Sequence, residues 1–104
     1  MKLVVSKGDK GIGLGPWTVK DSSGTVVDLT DYTITFKVWT DGSSDSPTVE
    51  QACTKDDAEA GECSYTIQAA DFDTAGDYLW ELELTKTGVQ WSSPASALTV
   101  EDSA

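Results

Sequence analysis

One segment limits the possible folds of this chain more than any other. Residues 73–77, Asp-Thr-Ala-Gly-Asp, form a turn signal that runs directly into an alternating segment over residues 78–85. The large apolar residues of that segment are Tyr78, Trp80, Leu82 and Leu84. A period of two with a largely polar opposite face predicts an antiparallel strand that buries one side. The fold must therefore contain a sheet with one face in a core.

The tyrosine at the start of this strand adds a second constraint. A tyrosine placed after a turn at the start of a core strand is typical of the tyrosine corner of immunoglobulin-like (Ig-like) sandwiches. Asp73 and Tyr78 are the candidate corner residues. An antibody domain carries a cysteine two positions after this tyrosine, whereas Trp80 occupies that position here. The chain is therefore expected to be Ig-like without being an antibody domain.

The rest of the chain repeats this pattern at short intervals. Residues 32–40 form a second strong strand, whose apolar face carries Tyr32, Ile34, Phe36 and Val38. Shorter extended segments are predicted at residues 2–6, 17–20, 25–27, 48–54, 63–68, 89–93 and 97–100. Lys86-Thr87-Gly88 is a hairpin signal between two of the strands. Short strands separated by turns predict an all-β fold, an Ig-like antiparallel β-sandwich of about seven to eight strands.

The predicted organisation is a single domain with two short extensions. Residues 1–16 are an N-terminal arm and a glycine-rich hinge, residues 17–100 are the sandwich, and residues 101–104 are an acidic tail. The arm carries the apolar residues Leu3, Val4 and Val5, which are candidate interface residues. Such a strand can add to a neighbour's sheet edge, or it can pair within its own domain.

The charge balance excludes several classes of partner. The chain has 18 acidic residues against seven lysines, and its formal net charge is −11. A protein without a basic patch cannot replace the counterions of phosphates, so no nucleic-acid partner is expected. Anionic membranes are excluded for the same reason. No segment has the ~20 apolar residues of a membrane helix or the pattern of a signal peptide, so a soluble chain without an export signal is expected.

The composition also argues against an enzyme, a metal site or a cofactor. The chain contains no histidine, so it cannot build the common nucleophile–histidine arrangements. Glu81 and Glu83 are the best-spaced carboxylate pair, and on an exposed strand face they are expected to be solvated. The acidic loops 41–46 and 56–62 have the ligand type for calcium, but their spacing fits solvated loops better.

The two cysteines leave two alternatives open. Cys53 and Cys63 lie at the end of one predicted strand and the start of the next, and both fall on apolar faces. If these strands pair antiparallel, the two side chains are candidates for a disulfide. The alternative is a pair of buried thiols.

Two tryptophans do not fit the core pattern. Trp39 lies on the polar face of its strand, and Trp17 also lies off the core register. An exposed aromatic residue marks a subunit contact or a sugar-stacking platform, unless the second face is covered or the register differs by one residue. Trp17 and Trp39 are therefore candidate interface residues. The alternative function is a carbohydrate-binding or adhesin module that uses Trp17, Trp39 or Trp91.

An ordered set of short motifs carries a family resemblance. The set is Lys7-Gly8-Asp9, Gly24-Thr25-Val26-Val27-Asp28-Leu29-Thr30, the strand over residues 32–39, Gly61-Glu62-Cys63-Ser64-Tyr65, Asp73-Thr74-Ala75-Gly76-Asp77-Tyr78 and residues 88–100. In this order they resemble the Ig-like N-terminal domain of phage baseplate upper proteins and related tail and virion structural proteins. The cysteine pair is not part of that pattern.

The resemblance implies a function in the virion. It implies a non-enzymatic structural protein of a tailed phage, assembled in the host cytoplasm, whose partners are other virion structural proteins and further copies of itself. Baseplate proteins continue into further domains, whereas this sequence ends at residue 104. The expectation is therefore a small component of the tail or baseplate, the neck or the capsid decoration.

Overall fold

The computed structural model describes residues 3–40, 47–93 and 95–102, and every helix-or-strand element in these ranges is a strand. The strands are β1 (Leu3–Ser6), β2 (Gly13–Thr18), β3 (Thr33–Trp39), β4 (Val49–Ala52), β5 (Thr54–Asp57), β6 (Glu62–Thr66), β7 (Gly76–Lys86), β8 (Val89–Ser92) and β9 (Ser96–Glu101). They form two sheets around one core, so the predicted all-β sandwich is confirmed.

The long strand β7 organises the larger sheet. The order of that sheet is β1-β9-β7-β3-β4, and β8 also pairs with β7. β3 runs antiparallel to β7, with Ile34 opposite Leu84 and Val38 opposite Trp80. These four side chains are buried in the core. The two strong alternating segments of the sequence are therefore neighbours that bury the same face.

β8 and β9 both pair with β7, on the side opposite β3. β8 pairs with residues 83–86 of β7, and β9 pairs with residues 76–80. β1 then pairs in parallel with β9 and not with β8.

The smaller sheet has the order β2-β6-β5, and both of its pairings are antiparallel. After β2 the chain leaves this sheet and returns to it at Cys53, because β4 belongs to the larger sheet and β5 to the smaller one. The single strand predicted over residues 48–54 is therefore two strands, and β5 extends into the predicted acidic loop. Alternation indicates which side of a strand is buried, but it does not show to which sheet the strand belongs.

Aromatic rings fill the centre of the core. Phe36 stacks on Tyr65 with ring centroids 4.6 Å apart, and on Trp17 with centroids 5.8 Å apart. Trp80 lies 5.1 Å from Trp17. Such ring pairs contribute about 0.5–1.5 kcal/mol each beyond the area that they bury. Because Phe36 and Trp80 come from the larger sheet and Trp17 and Tyr65 from the smaller one, these contacts join the two sheets.

The expectation that Trp17 and Trp39 are exposed is wrong. Trp17 is 7 % exposed, because β2 begins at Gly13 and directs Trp17 into the core. Trp39 is 6 % exposed, although it lies outside the main core cluster. Its strand partner Leu79 is half-buried. A tryptophan on the outer face of a sheet can thus be covered by its surroundings instead of standing free.

The N-terminal arm pairs within its own chain. β1 lies parallel to β9, and Val5 is buried in the core. The segment predicted as a hinge is tied to the body, because Gly8 N–H donates to the Phe72 carbonyl and Gly11 N–H to the Ile67 carbonyl (2.9 and 2.7 Å). The last residues of that segment belong to β2.

Two tyrosine hydroxyl groups hold the connection between β6 and β7. Tyr78 Oη donates to the carbonyl of Thr74 at 2.8 Å, four residues upstream, which is the hydrogen bond of a tyrosine corner. Asp73 is exposed. Tyr65 Oη donates to the Asp71 carboxylate, which also accepts the Gln68 N–H at 2.9 Å.

Candidate assembly surfaces

Two kinds of site were not found among the described residues. Residues 3–40, 47–93 and 95–102 contain neither a cavity nor a group of acidic or sulfur ligands that could hold a metal ion. In the same ranges no helix is long and apolar enough to span a membrane. The acidic loop 41–46, which was expected to be solvated, lies outside the described residues, and the acidic loop 56–62 includes part of β5.

The carboxylates predicted to be solvated are half-buried on the outer face of the larger sheet. Lys37 Nζ lies 3.4 Å from Glu83 Oε2 and 3.7 Å from Glu50 Oε2. Glu81, like Glu83, is half-buried. Lys37 thus joins β3 to both of its neighbouring strands, and Glu83 acts as an ion-pair partner.

The three arm residues have different surroundings. Val5 is buried and Leu3 is half-buried against the core, whereas Val4 is 54 % exposed. The edge of β1 is closed beside Ser6, because Ser6 N–H donates to Asp9 Oδ2 (2.9 Å) and Asp9 N–H donates to the Ser6 carbonyl (3.1 Å). A strand that joined this edge would have to displace Asp9.

An aromatic and cationic cluster lies at the β7–β8 hairpin, and the sequence reasoning missed it. Trp91 meets Tyr32 edge to face with centroids 6.3 Å apart, and Lys86 Nζ lies 4.7 Å above the Tyr32 ring. Both rings are half-buried. The hairpin signal could have indicated that Lys86 and Trp91 lie close together, because a two-residue turn places Lys86 opposite Val89 and Leu84 opposite Trp91.

The tryptophans considered for a sugar-stacking platform do not offer an open aromatic face. Of the three tryptophans considered for it, Trp17 and Trp39 are buried. Trp91 is half-buried and engaged with Tyr32. Stacking on a sugar requires an open aromatic face, so the structure gives the carbohydrate hypothesis no specific support.

The sheet edges differ in how strongly they oppose the addition of a strand. β5 exposes Lys55, Asp56 and Asp57, and β4 exposes Glu50. β2 has a register shift around Pro16, which has no N–H to donate. Charges, proline and bulges are the usual protections of an exposed edge.

The β8 edge lacks these protections. Its residues Val89, Gln90, Trp91 and Ser92 carry no charge, and Val89 is 39 % exposed. Ser93 N–H donates to the Leu82 carbonyl at 2.9 Å, so alternate residues of β8 direct their backbone groups towards β7. Gln90 and Ser92 therefore direct theirs outwards. In the described part of the chain, no strand pairs with this outer side of β8.

The two cysteines are neighbours at the point where the chain changes sheets. Cys53 is half-buried between β4 and β5, and Cys63 is fully buried in β6. The thiols are unlinked and hydrogen-bonded to one another. This hydrogen bond, followed by burial, raises the pKa of the Cys53 thiol far above its ordinary value.

Comparison with known proteins identifies the family. No curated protein matches the chain. A family model described as the BppU N-terminal domain matches residues 18–104, which contain seven of the nine described strands completely. The family is that of phage baseplate upper proteins, so the resemblance seen in the sequence is confirmed. The chain belongs to the BppU N-terminal domain family, a baseplate structural family whose members contact other virion proteins, and it is a virion component.

Proposed function

We propose that this domain is a non-enzymatic assembly module of the baseplate that pairs with a second copy of itself through β8. The observation that carries the proposal is the uncharged, unprotected edge of β8, with Gln90 and Ser92 directing backbone groups outwards. An edge with free N–H and C=O groups is a template for another strand.

Repulsion between acidic residues disfavours the pairing of two copies at the β4 and β5 edges, whereas the β8 edge carries no charge. Two copies that meet around a two-fold axis present the same residues to each other. At β5 such a contact places the segment that contains Asp56 and Asp57 beside a second copy of the same segment, and at β4 it brings two copies of Glu50 close together. Like charges that face each other across paired strands are destabilising. β8 avoids this cost, which matters for a chain with a net charge of −11.

Exchange of the N-terminal arm between chains is a second route to an oligomer, and it stays a prediction. Exchange would transfer the core contacts of Val5 to a second copy, and the segment from Gly8 to Gly11, which is hydrogen-bonded to the body, would have to change its course. Pairing at β8 leaves these contacts and this segment in place. The two routes therefore differ in what deletion of residues 1–6 does.

Light scattering of the intact chain and of three variants tests the proposal. We expect the intact chain to form a dimer. Gln90→Pro should convert it to a monomer, because proline removes an outward N–H without breaking the β7–β8 hydrogen bonds. Gln90→Thr, which keeps the N–H and suits a strand, is the matched control and should remain a dimer. Deletion of residues 1–6 should also leave the dimer intact.

Three outcomes decide against pairing at β8. A Gln90→Pro variant that is folded by circular dichroism and still dimeric would show that the interface lies elsewhere. A dimer that becomes a monomer on deletion of residues 1–6 alone would favour arm exchange. An intact chain that is monomeric at every concentration would overturn self-assembly and leave contacts with other virion proteins.

A further inference from the structure

The cysteine pair lies at a structurally sensitive place. Cys53 is the single residue between β4 of the larger sheet and β5 of the smaller sheet, and its N–H donates to the Ile34 carbonyl at 2.8 Å. Cys63 lies in the middle strand of the smaller sheet, opposite Trp17 of β2 and Lys55 of β5. A link between the two sulfur atoms would therefore join the crossing point to the centre of the smaller sheet.

The two thiols differ in access. Cys63 is fully buried among core residues, whereas Cys53 is only half-buried. A small reagent can reach Cys53 first, and Cys63 is then the nearest group that can complete a reaction there. Cys63 lies opposite Lys55, and Cys53 lies two residues before Lys55, so the two cysteines are diagonal neighbours across the β5–β6 pairing.

We propose that Cys53 and Cys63 are oxidised to an intramolecular disulfide in the released virion. With a low-molecular-weight disulfide as the oxidant, one sulfur of that compound bonds to the Sγ atom of the cysteine that reacts first, and the other sulfur leaves as a thiol. The Sγ atom of the second cysteine then attacks the Sγ atom of the first and displaces the second small thiol. Overall, two protein thiols lose two hydrogen atoms and one small disulfide is reduced to two thiols.

The location of the protein provides the change in redox conditions. A virion component is made inside the host, where thiols are kept reduced, and it then functions outside the cell, where disulfides persist. The domain can therefore fold with two thiols and receive the cross-link later. This proposal is independent of strand pairing at β8.

The expected consequence is a more stable sandwich after oxidation. A cross-link between residues 53 and 63 restricts the unfolded chain and leaves the native contacts in place. It also prevents β5 from separating from β6 at the crossing point. For a domain of this size we expect the midpoint of thermal unfolding to rise by about 10 °C or more.

Peptide mapping of the native chain tests the link directly. Lys55 lies between the two cysteines, and the chain has no arginine. Trypsin therefore places Cys53 in the peptide 38–55 and Cys63 in the peptide 56–86. After exposure of the folded protein to glutathione disulfide, the two peptides should remain joined until a reductant separates them. Two separate peptides with free or glutathione-modified thiols, or a cross-link between two chains, would overturn the proposal.

Variants connect the link to its effect. Cys53→Ser should fold and show no change in its unfolding midpoint between oxidising and reducing conditions, whereas the native chain should show the rise given above. Because Cys63 is fully buried, Cys63→Ala is the second variant and should behave like Cys53→Ser. A joined peptide pair without any rise in the native chain would refute the stabilising role.

Discussion

At the scale of single residues, the connection between β6 and β7 depends on two tyrosine hydroxyl groups. Tyr78 donates to the carbonyl of Thr74, and Tyr65 donates to the carboxylate of Asp71. Both rings are buried, with exposures of 8 % and 2 %. Each hydroxyl thus joins the buried end of a core strand to a polar group of the connecting segment.

Tyr78→Phe should lower the free energy of unfolding by about 1 kcal/mol, because it removes one hydrogen bond and keeps the ring. Denaturant titration measures the change. Tyr32→Phe is the matched control, because the Tyr32 hydroxyl has no partner among the described residues. Equal effects of the two substitutions would show that the bond to Thr74 contributes nothing to stability.

Tyr65 should make the stability depend on pH in the alkaline range. Burial, followed by the hydrogen bond with Asp71, raises the pKa of Tyr65 in the folded chain. The unfolded chain then loses this proton at a lower pH, near the ordinary value of about 10. The stabilisation of the folded chain that results from this difference in pKa is fully present below a pH of about 10 and is lost as the pH rises further. Denaturant titrations across this range should show a smaller fall for Tyr65→Phe, and an equal fall would exclude this cause.

At the scale of elements, tight turns set the register of the strands that they connect. Gly61 precedes β6 with a φ of +72°, and its carbonyl accepts the Val19 N–H at 2.8 Å. A Cβ atom at this position would lie 2.8 Å from both Val26 Cγ1 and the Val27 carbonyl oxygen. The turn therefore requires glycine for its backbone conformation and for its close packing.

Gly61→Ala should destabilise the domain by more than the positive φ alone explains. Gly88 in the β7–β8 hairpin has a similar φ of +76°, but an added Cβ would meet nothing within 4 Å. Gly88→Ala is thus the matched control, with an expected cost of about 1–2 kcal/mol. Gly61→Ala should cost clearly more in the same denaturant titration. Equal costs would mean that the neighbours of Gly61 move aside freely.

At the scale of the whole molecule, electrostatic repulsion is the dominant long-range effect. A net charge of −11 on a compact domain raises its free energy relative to the unfolded chain, where the charges lie further apart. Local attractions oppose this repulsion, and the contacts of Lys37 with Glu50 and Glu83 are the ion pairs seen among the described residues.

Salt should therefore stabilise the domain. Raising the salt from about 0.01 M to about 1 M shortens the Debye length from about 30 Å to about 3 Å and screens the repulsion. Thermal unfolding with a neutral salt such as sodium chloride should give a higher midpoint at each step. A midpoint that falls with salt would show that the ion pairs around Lys37 outweigh the net charge.

Much of the fold could be predicted from the sequence because the information is local. The alternation around Phe36 and Trp80 predicts two strands with buried faces, and both lie side by side in the larger sheet. The charge and the absence of histidine limited the chemistry, and the ordered motifs indicated the family. Each of these signals depends on residue type and spacing along the chain, which folding does not alter.

Only the tertiary structure decided which strands meet and which side chains remain accessible. Cys53 marks a change of sheet, β1 pairs in parallel with β9, and Trp39 is buried on an outer face. Each of these features depends on residues that are distant in sequence. The alternation of apolar and polar residues along a strand does not indicate which other strand pairs with it. The open edge of β8 is of the same kind: its residues are visible in the sequence, but it follows from the position of β1 beside β9 that no strand of the described ranges lies next to β8.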